Sequence, residues 1–311
     1  MKQLILTAGL SNGDMAAFVA QLQRNNSNIR VFDAFQERLN QYGTLDITHT
    51  QDVTVYNRIY NLLDTAILQN EEGVFVLLDS NLTRSRRRGM YNRYKEPKYG
   101  VSQVTTHFFI RSYSELMNDE NGLSSKSVKA QYISFQPPRI GVDADEVIIH
   151  SDIFNTVDRD KIITSHSADE LFTQLLVTPL ADEIKLDYQS HDNPHHLESI
   201  KEHIDMTIKA APADELRQVA MFHDLGKGIT KSVDGITGIA HMPGHQSVGA
   251  MIAFAFYGEP NNITETVLWH MEAHKDISTK VVKRERLDLP VMELLQKFAV
   301  IDSKARIDVT L

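Results

Sequence analysis

The sequence predicts two domains, an α/β domain with a parallel sheet followed by an all-helical domain. Three observations predict this arrangement. Strand-like and helix-like segments alternate up to about residue 150, which is typical of a parallel sheet with helical crossovers. From Pro194 onward only helical periodicity remains. A chain of 311 residues is also long for one domain and sufficient for two.

The first domain combines short apolar runs with longer amphipathic segments. Runs with the length of buried strands lie at residues 4–7, 29–32, 74–79, 105–110 and 146–150. Helical spacing of apolar residues occupies residues 15–24, 53–68 and 124–135. Pro137 and Pro138 close the last of these, since proline cannot continue a helix.

The second domain is predicted to be a set of helices. They cover residues 197–209, 213–222, 245–256, 263–274 and 290–306. Residues 151–182 are predicted to be a connector with a short helix. We therefore place the first domain at residues 1–150, the connector at 151–182 and the second domain at 183–311.

Composition excludes several classes of protein. Cysteine is absent, which excludes disulfides, thiolate nucleophiles and zinc–cysteine sites. The net charge of −9 gives no global basic field of the kind that attracts nucleic acid. The apolar run at the start is too short for a signal peptide, and no stretch approaches the roughly 18 apolar residues of a membrane span. We expect a cytoplasmic protein without a membrane partner.

Histidine is concentrated in the second domain. Nine of the 13 histidines lie between His191 and His274, and His223 is followed directly by Asp224. Imidazole and carboxylate together are the usual ligands of hydrolytic metal ions. Adjacent side chains on a helix diverge, so the pair can serve one metal only if other elements converge there. The sequence offers His203, His245, His270 and Asp302 for this.

This ordered set resembles the HD superfamily of metal-dependent phosphohydrolases over roughly residues 185–311. The entry Asn-Pro-His-His at residues 193–196 and the pair Glu202-His203 resemble those of small HD domains. The segment that begins Gly244-His245 is similar to an element of such domains, including those attached to CCA-adding enzymes. Trp269-His270 resembles a further histidine position of the family.

The resemblance implies a divalent metal held by His203, His223, Asp224 and Asp302, and a second metal with His245 and His270. It also implies catalytic roles for Asp224, which would take a proton from water, and for Lys227, His195 and His196, which would contact phosphate or the leaving group. His241 and His274 are candidate substrate contacts. Imidazole with carboxylate suits manganese, nickel, cobalt, iron or zinc, and the sequence does not distinguish these metals or magnesium.

The first domain resembles the kinase module of phage polynucleotide kinases, which are P-loop kinases. The segments at residues 4–10 and 77–88, and residues 132–138 followed by 145–149, carry the likeness. A working phosphate loop requires Gly-x-x-x-x-Gly-Lys-Ser/Thr. Here the loop from Gly9 is one residue short, and Asp14 stands near the lysine position. A carboxylate there repels phosphate, so we expect this domain not to phosphorylate anything.

A basic stretch in the first domain suggests a binding role. Arg84, Arg87 and Arg88 belong to it, and tyrosines are interleaved among its cations. Such a mixture can hold phosphates and stack bases. The alternative is a solvated helix face inherited from a kinase.

Together these observations predict a phosphohydrolase that acts on a phosphate ester of a nucleotide or of a nucleic-acid end, a 3′-phosphate or a 2′,3′-cyclic phosphate. The kinase-like domain would bind substrate or assemble a homo-oligomer. One alternative is a phosphodiesterase of free or cyclic nucleotides. The other is a non-catalytic protein that binds nucleotide or nucleic acid.

Overall fold

The computed structural model describes residues 1–10, 12–118, 123–193, 196–275 and 277–306. The chain divides into two compact units. Unit 1 comprises Met1–Arg111, Glu115–Tyr132 and Pro138–Ser151, and unit 2 comprises Ser112–Ser114, Ile133–Pro137 and Asp152–Leu311. Most of the predicted connector, residues 152–182, therefore belongs to unit 2.

Strands and helices alternate up to residue 150. In chain order they are β1 (Lys2–Gly9), α1 (Asn12–Asn25), β2 (Ile29–Asp33), α2 (Ala34–Tyr42), α3 (His49–Gln69), β3 (Gly73–Leu78), α4 (Arg84–Tyr94), β4 (Val101–Phe109), α5 (Tyr113–Asn118), α6 (Ser125–Tyr132) and β5 (Glu146–His150). All five strands are parallel and lie in the order β2-β3-β1-β4-β5. The predicted parallel sheet is confirmed.

Successive side chains of a strand point to opposite sides, so the sheet has two apolar faces. Both faces are covered by helices. Leu4, Leu6 and Phe75 pack with Leu63 and other residues of α3 in one core cluster. The intervening residues, such as Ile5 and Val76, belong to a second cluster with Met15 and Val19 of α1. Helix α3 begins at a capping box in which Thr48 and Gln51 satisfy each other's backbone N–H groups.

Unit 2 is mainly helical. Its elements are α7 (Arg159–Ile163), α8 (Ala168–Leu175), α9 (Ala181–Leu186), α10 (Ile200–Ala210), α11 (Asp214–Phe222), α12 (Lys227–Thr230), β6 (Ser232–Val233), β7 (Ala240–His241), α13 (His245–Tyr257), α14 (Asn262–Ala273), α15 (Thr279–Glu285) and α16 (Leu289–Lys304). The antiparallel hairpin β6–β7 corrects the expectation of no strand in this half. Each strand has two residues, too few to show a period.

Helix α13 is the centre of unit 2. Its side chains from Ser247 to Phe256 are all buried, and it packs against α14, which packs in turn against α16. A helix that is apolar around its whole circumference requires neighbours on every side. In the described part of the chain, no helix is both long and apolar enough to cross a membrane.

The basic helix α4 contributes a buried ion pair to unit 1. Arg87 and Asp143 are fully buried, with 2.8 Å between Arg87 Nε and Asp143 Oδ2. The Arg87 guanidinium also donates to the carbonyls of Asn81 and Leu82, at 2.8 Å each. The Arg87 guanidinium therefore fixes the backbone of the segment that precedes α4.

We predict that Arg87→Ala lowers the free energy of unfolding by about 3–5 kcal/mol, because the change leaves the Asp143 carboxylate buried without its cation. Urea denaturation followed by circular dichroism measures this. Arg30→Ala, at an exposed residue, is the matched control, with an expected change below about 0.5 kcal/mol. Equal effects of the two changes would contradict the prediction.

Candidate metal centre

Among the described residues of unit 2, three groups of side chains can hold a metal ion. Within each, one nitrogen or oxygen per residue lies within 4.8 Å of the others. We call them the first cluster (His203, His223 and Asp302), the second cluster (Asp224, His245 and His270) and the third cluster (His191, His196 and Glu198). The first two together contain all six metal ligands that the family resemblance implies.

Five helical segments deliver these ligands. His203 lies on α10, which begins where Ser199 and Glu202 form a capping box, so Glu202 caps the helix. His223 and Asp224 follow the end of α11. His245 is the first residue of α13, and the other ligands lie on α14 and α16.

The four imidazoles of the first two clusters share one orientation. In each, Nδ1 donates to a backbone carbonyl that can only accept. The pairs are His203 with Ala305 (2.8 Å), His223 with Ala220 (2.8 Å), His245 with Met242 (2.7 Å) and His270 with Val267 (2.8 Å). This anchoring turns every Nε2 toward the shared interior, as in histidines that ligate metals.

Asp224 belongs to the second cluster, but one of its oxygens faces the first. Its Oδ2 is 3.3 Å from Nε2 of His203 and 3.1 Å from Nε2 of His223. Its Oδ1 is 3.4 Å from Nε2 of His245 and 3.9 Å from Nε2 of His270. One carboxylate thus presents one oxygen to each pair of histidines, and Asp224 would be available to ions held on either side.

The spacing within the first cluster fits a metal ion. Asp302 Oδ1 lies 2.9 Å from Nε2 of His203 and 3.7 Å from Nε2 of His223, and the two nitrogens are 3.4 Å apart. An ion with bonds of about 2.1 Å separates neighbouring ligand atoms by about 3.0–3.4 Å. Oδ1 of buried Asp224 has no hydrogen bond among the described residues. These buried groups can therefore hold a metal ion.

Burial and neighbouring charges shift the pKa values of residues in the two clusters in different directions. Burial opposes ionisation of Asp224, but the neighbouring His223 and Lys227 prevail and hold its pKa well below the usual value. Burial also disfavours the cation of His203, yet contacts with Asp302 and Glu198 raise its pKa to about 9. Burial lowers the pKa of His245 to about 4. A cation held by the first cluster would therefore compete with protonation of His203.

Two glycines allow the close approach that places His245. A Cβ on Gly249 would lie 2.3 Å from the Phe222 carbonyl oxygen, and one on Gly226 would lie 2.5 Å from Cβ of Val248. Both distances are shorter than real contacts, so α13 can pack against the end of α11 only because these side chains are absent.

The centre opens into a cavity of about 600 Å³. Lys227, His196, His241 and His274 line it together with ligands of both clusters. A volume of this size is ordinary for a small-molecule site. His195 lies outside the described residues.

The cavity residues differ in what they contact. Lys227 Nζ lies 2.7 Å from Asp224 Oδ2 as an ion-pair partner. Nε2 of His274 lies 2.7 Å from Asp302 Oδ2, so this histidine also orients a predicted ligand. His196 Nδ1 is 2.6 Å from Glu198 Oε1. His241 lies on β7 and is exposed.

Sequence reasoning missed His191 and Glu198. Both are buried, and both precede α10 in irregular chain, where no helical or strand period marks an inward side chain. The only signal available was the local density of histidine.

The basic stretch of unit 1 does not form one exposed surface. Arg84 and Arg87 are 1% and 0% exposed, and Arg88 is half-buried. Arg87 is paired with Asp143, and a role in holding substrate stays a prediction. Residues 84 and 87 are three apart, so both fall on the inward face of α4.

The segment that resembles a phosphate loop contains an ion pair. Asp14 lies in the first turn of α1, and its Oδ1 accepts from Arg111 at 2.6 Å. Asp79, after β3, is fully buried. Burial raises its pKa against the attraction of Arg38, which lies 2.8 Å away, and Tyr56 donates to its second oxygen.

Comparison of the chain with protein-family models and with curated proteins finds no match.

Metal analysis tests the two clusters separately. We expect about two equivalents of divalent metal per chain after loading, because two ligand sets share Asp224. His245→Ala should leave about one equivalent, whereas Asp224→Ala should reduce both. Elemental analysis after gel filtration measures the content.

His166→Ala, at an exposed histidine of the same unit, is the control and should keep the full content. A single equivalent in both the wild type and His245→Ala would contradict a role for the second cluster.

Proposed function

We propose that unit 2 is an HD-type metal-dependent phosphohydrolase that acts on a phosphate ester of a nucleotide or of a nucleic-acid end. The observation that supports this most directly is the position of Asp224, whose two oxygens face separate histidine pairs beside a cavity. When bound, divalent cations supply hydroxide near neutral pH and neutralise charge on a phosphoryl group.

The chain's own side chains have distinct tasks in this proposal. Lys227 holds a phosphoryl oxygen, since a point charge at the wall of the cavity is suited to phosphate. Burial lowers the pKa of His196 and thereby favours the neutral ring. Its Nδ1 faces Glu198, which leaves Nε2 to exchange a proton with the substrate.

The proposed substrates are a 3′-phosphate and a 2′,3′-cyclic phosphate on a nucleic-acid end. The cavity has room for a group of nucleotide size. The link to nucleic-acid ends rests on the resemblance of unit 1 to polynucleotide kinases, which is an analogy at the level of sequence. In this proposal unit 1 binds substrate or supports assembly.

A substrate screen tests the activity. We expect the protein loaded with manganese, nickel or cobalt to hydrolyse a 3′-phosphorylated or cyclic-phosphate oligonucleotide faster than deoxynucleoside triphosphates or cyclic dinucleotides. His223→Ala and Asp224→Ala should reduce turnover to background, because each removes a ligand of the first ion or of both.

His166→Ala should retain wild-type turnover. Faster turnover of a free or cyclic nucleotide would mean that the substrate belongs to that class and is not a nucleic-acid end. Metal-loaded protein without turnover on any of these substrates would contradict the phosphohydrolase proposal.

Unit 1 is proposed to lack phosphotransfer. A carboxylate in the first turn of α1 is stabilised by the positive end of the helix dipole and repels a phosphate there. We expect no transfer from ATP to a 5′-hydroxyl oligonucleotide above background. The assay is run with the wild type and with Asp224→Ala, so that hydrolysis by unit 2 cannot remove the product. Transfer by either protein would contradict the proposal.

A further inference from the structure

The ammonium of Lys227 has two partners that fix its position. Nζ lies 2.7 Å from Asp224 Oδ2 and 3.2 Å from Nε2 of His191. An ammonium has three N–H donors. Among the described residues this leaves one donor of Lys227 without a partner, and the residue lines the cavity.

The orientation of His191 follows from its other nitrogen. Nδ1 lies 2.8 Å from the Glu198 carbonyl oxygen. A carbonyl only accepts, so the ring carries its proton on Nδ1 and offers the lone pair of Nε2 to Lys227. The ring is buried, and it stacks on His196 with centroids 4.3 Å apart. His191 is therefore held from both its edge and its face.

We propose that His191 is a positioning residue that holds the Lys227 ammonium beside Asp224, with the remaining N–H directed to a phosphoryl oxygen. The nature of this ligand rests on the proposed function. A flexible lysine side chain has several rotamers, and without an acceptor on this side its ammonium would be restrained by Asp224 alone. His191 thereby acts on the ligand through Lys227.

An alternative interpretation of the third cluster is a third metal site. The geometry favours the ammonium, because Nε2 of His191 already accepts from Lys227 at 3.2 Å. A metal ion on that nitrogen would stand next to a positive charge. The cation that serves the cluster is therefore Lys227.

Binding of inorganic phosphate to the metal-loaded full chain tests the inference. Titration calorimetry compares the wild type, His191→Phe, Lys227→Met and the double variant. We expect Lys227→Met to raise the Kd about tenfold or more, the loss of one charge-assisted hydrogen bond. His191→Phe should raise it by a smaller factor, and the double variant should match Lys227→Met, since the two residues act as one unit.

His191→Gln, which keeps an acceptor, should recover part of the affinity lost in His191→Phe. Additive effects in the double variant, or a lower metal content in His191→Phe, would overturn the inference. An independent check uses ¹⁵N spectra of the metal-free wild type, where we expect the proton of His191 on Nδ1; a proton on Nε2 alone would overturn it.

Phosphate binding separates this inference from the proposed function. If the phosphate titrations follow the expected pattern while no phosphate ester is hydrolysed, the proposed function fails and the role of His191 stands. If hydrolysis is robust while His191→Phe leaves phosphate affinity and KM unchanged, the role of His191 fails and the proposed function stands.

Discussion

The burial of the Asp224 carboxylate is the constraint around which unit 2 is arranged. Transfer of an ionised carboxylate out of water costs several kcal/mol unless positive charge or hydrogen bonds replace the lost solvation. Here Lys227 supplies a positive charge, and four imidazole Nε2 atoms approach the two oxygens of Asp224. Helices α10, α11, α13, α14 and α16 must therefore end or cross near one point, with little freedom in their spacing.

Much of this centre could be predicted from sequence, for a specific reason. The adjacent pair His223-Asp224 is informative by itself, and the order of the other candidate ligands resembles a family pattern. The hydrogen bonds that orient the rings could not be predicted. His203 is anchored on the carbonyl of Ala305, 102 positions away, and His191 meets Lys227 from an irregular segment. Such contacts depend on the tertiary path of the chain.

The fold was likewise predictable from the sequence only in part. Strand β3, predicted at residues 74–79, is observed at Gly73–Leu78, because a parallel strand covered on both faces is a continuous apolar run. The short helices α7 and α8 were not resolved within the predicted connector, since helices of 5 and 8 residues present barely two turns of periodicity. For Arg84 and Arg87, composition indicated an exposed surface, although their side chains are buried.

Two buried carboxylates show why one location can hold an ion. In unit 1, Asp79 has one oxygen paired with Arg38 and the other bonded by Tyr56, so its acceptors are satisfied within the protein. In unit 2, Oδ2 of Asp224 pairs with Lys227, but Oδ1 has no hydrogen bond among the described residues, and its neighbours are imidazole nitrogen atoms that can ligate a metal. A buried carboxylate oxygen without a hydrogen bond costs free energy, and a bound cation would offset that cost. The same residue type thus serves stability in unit 1 and leaves an open position for a cation in unit 2.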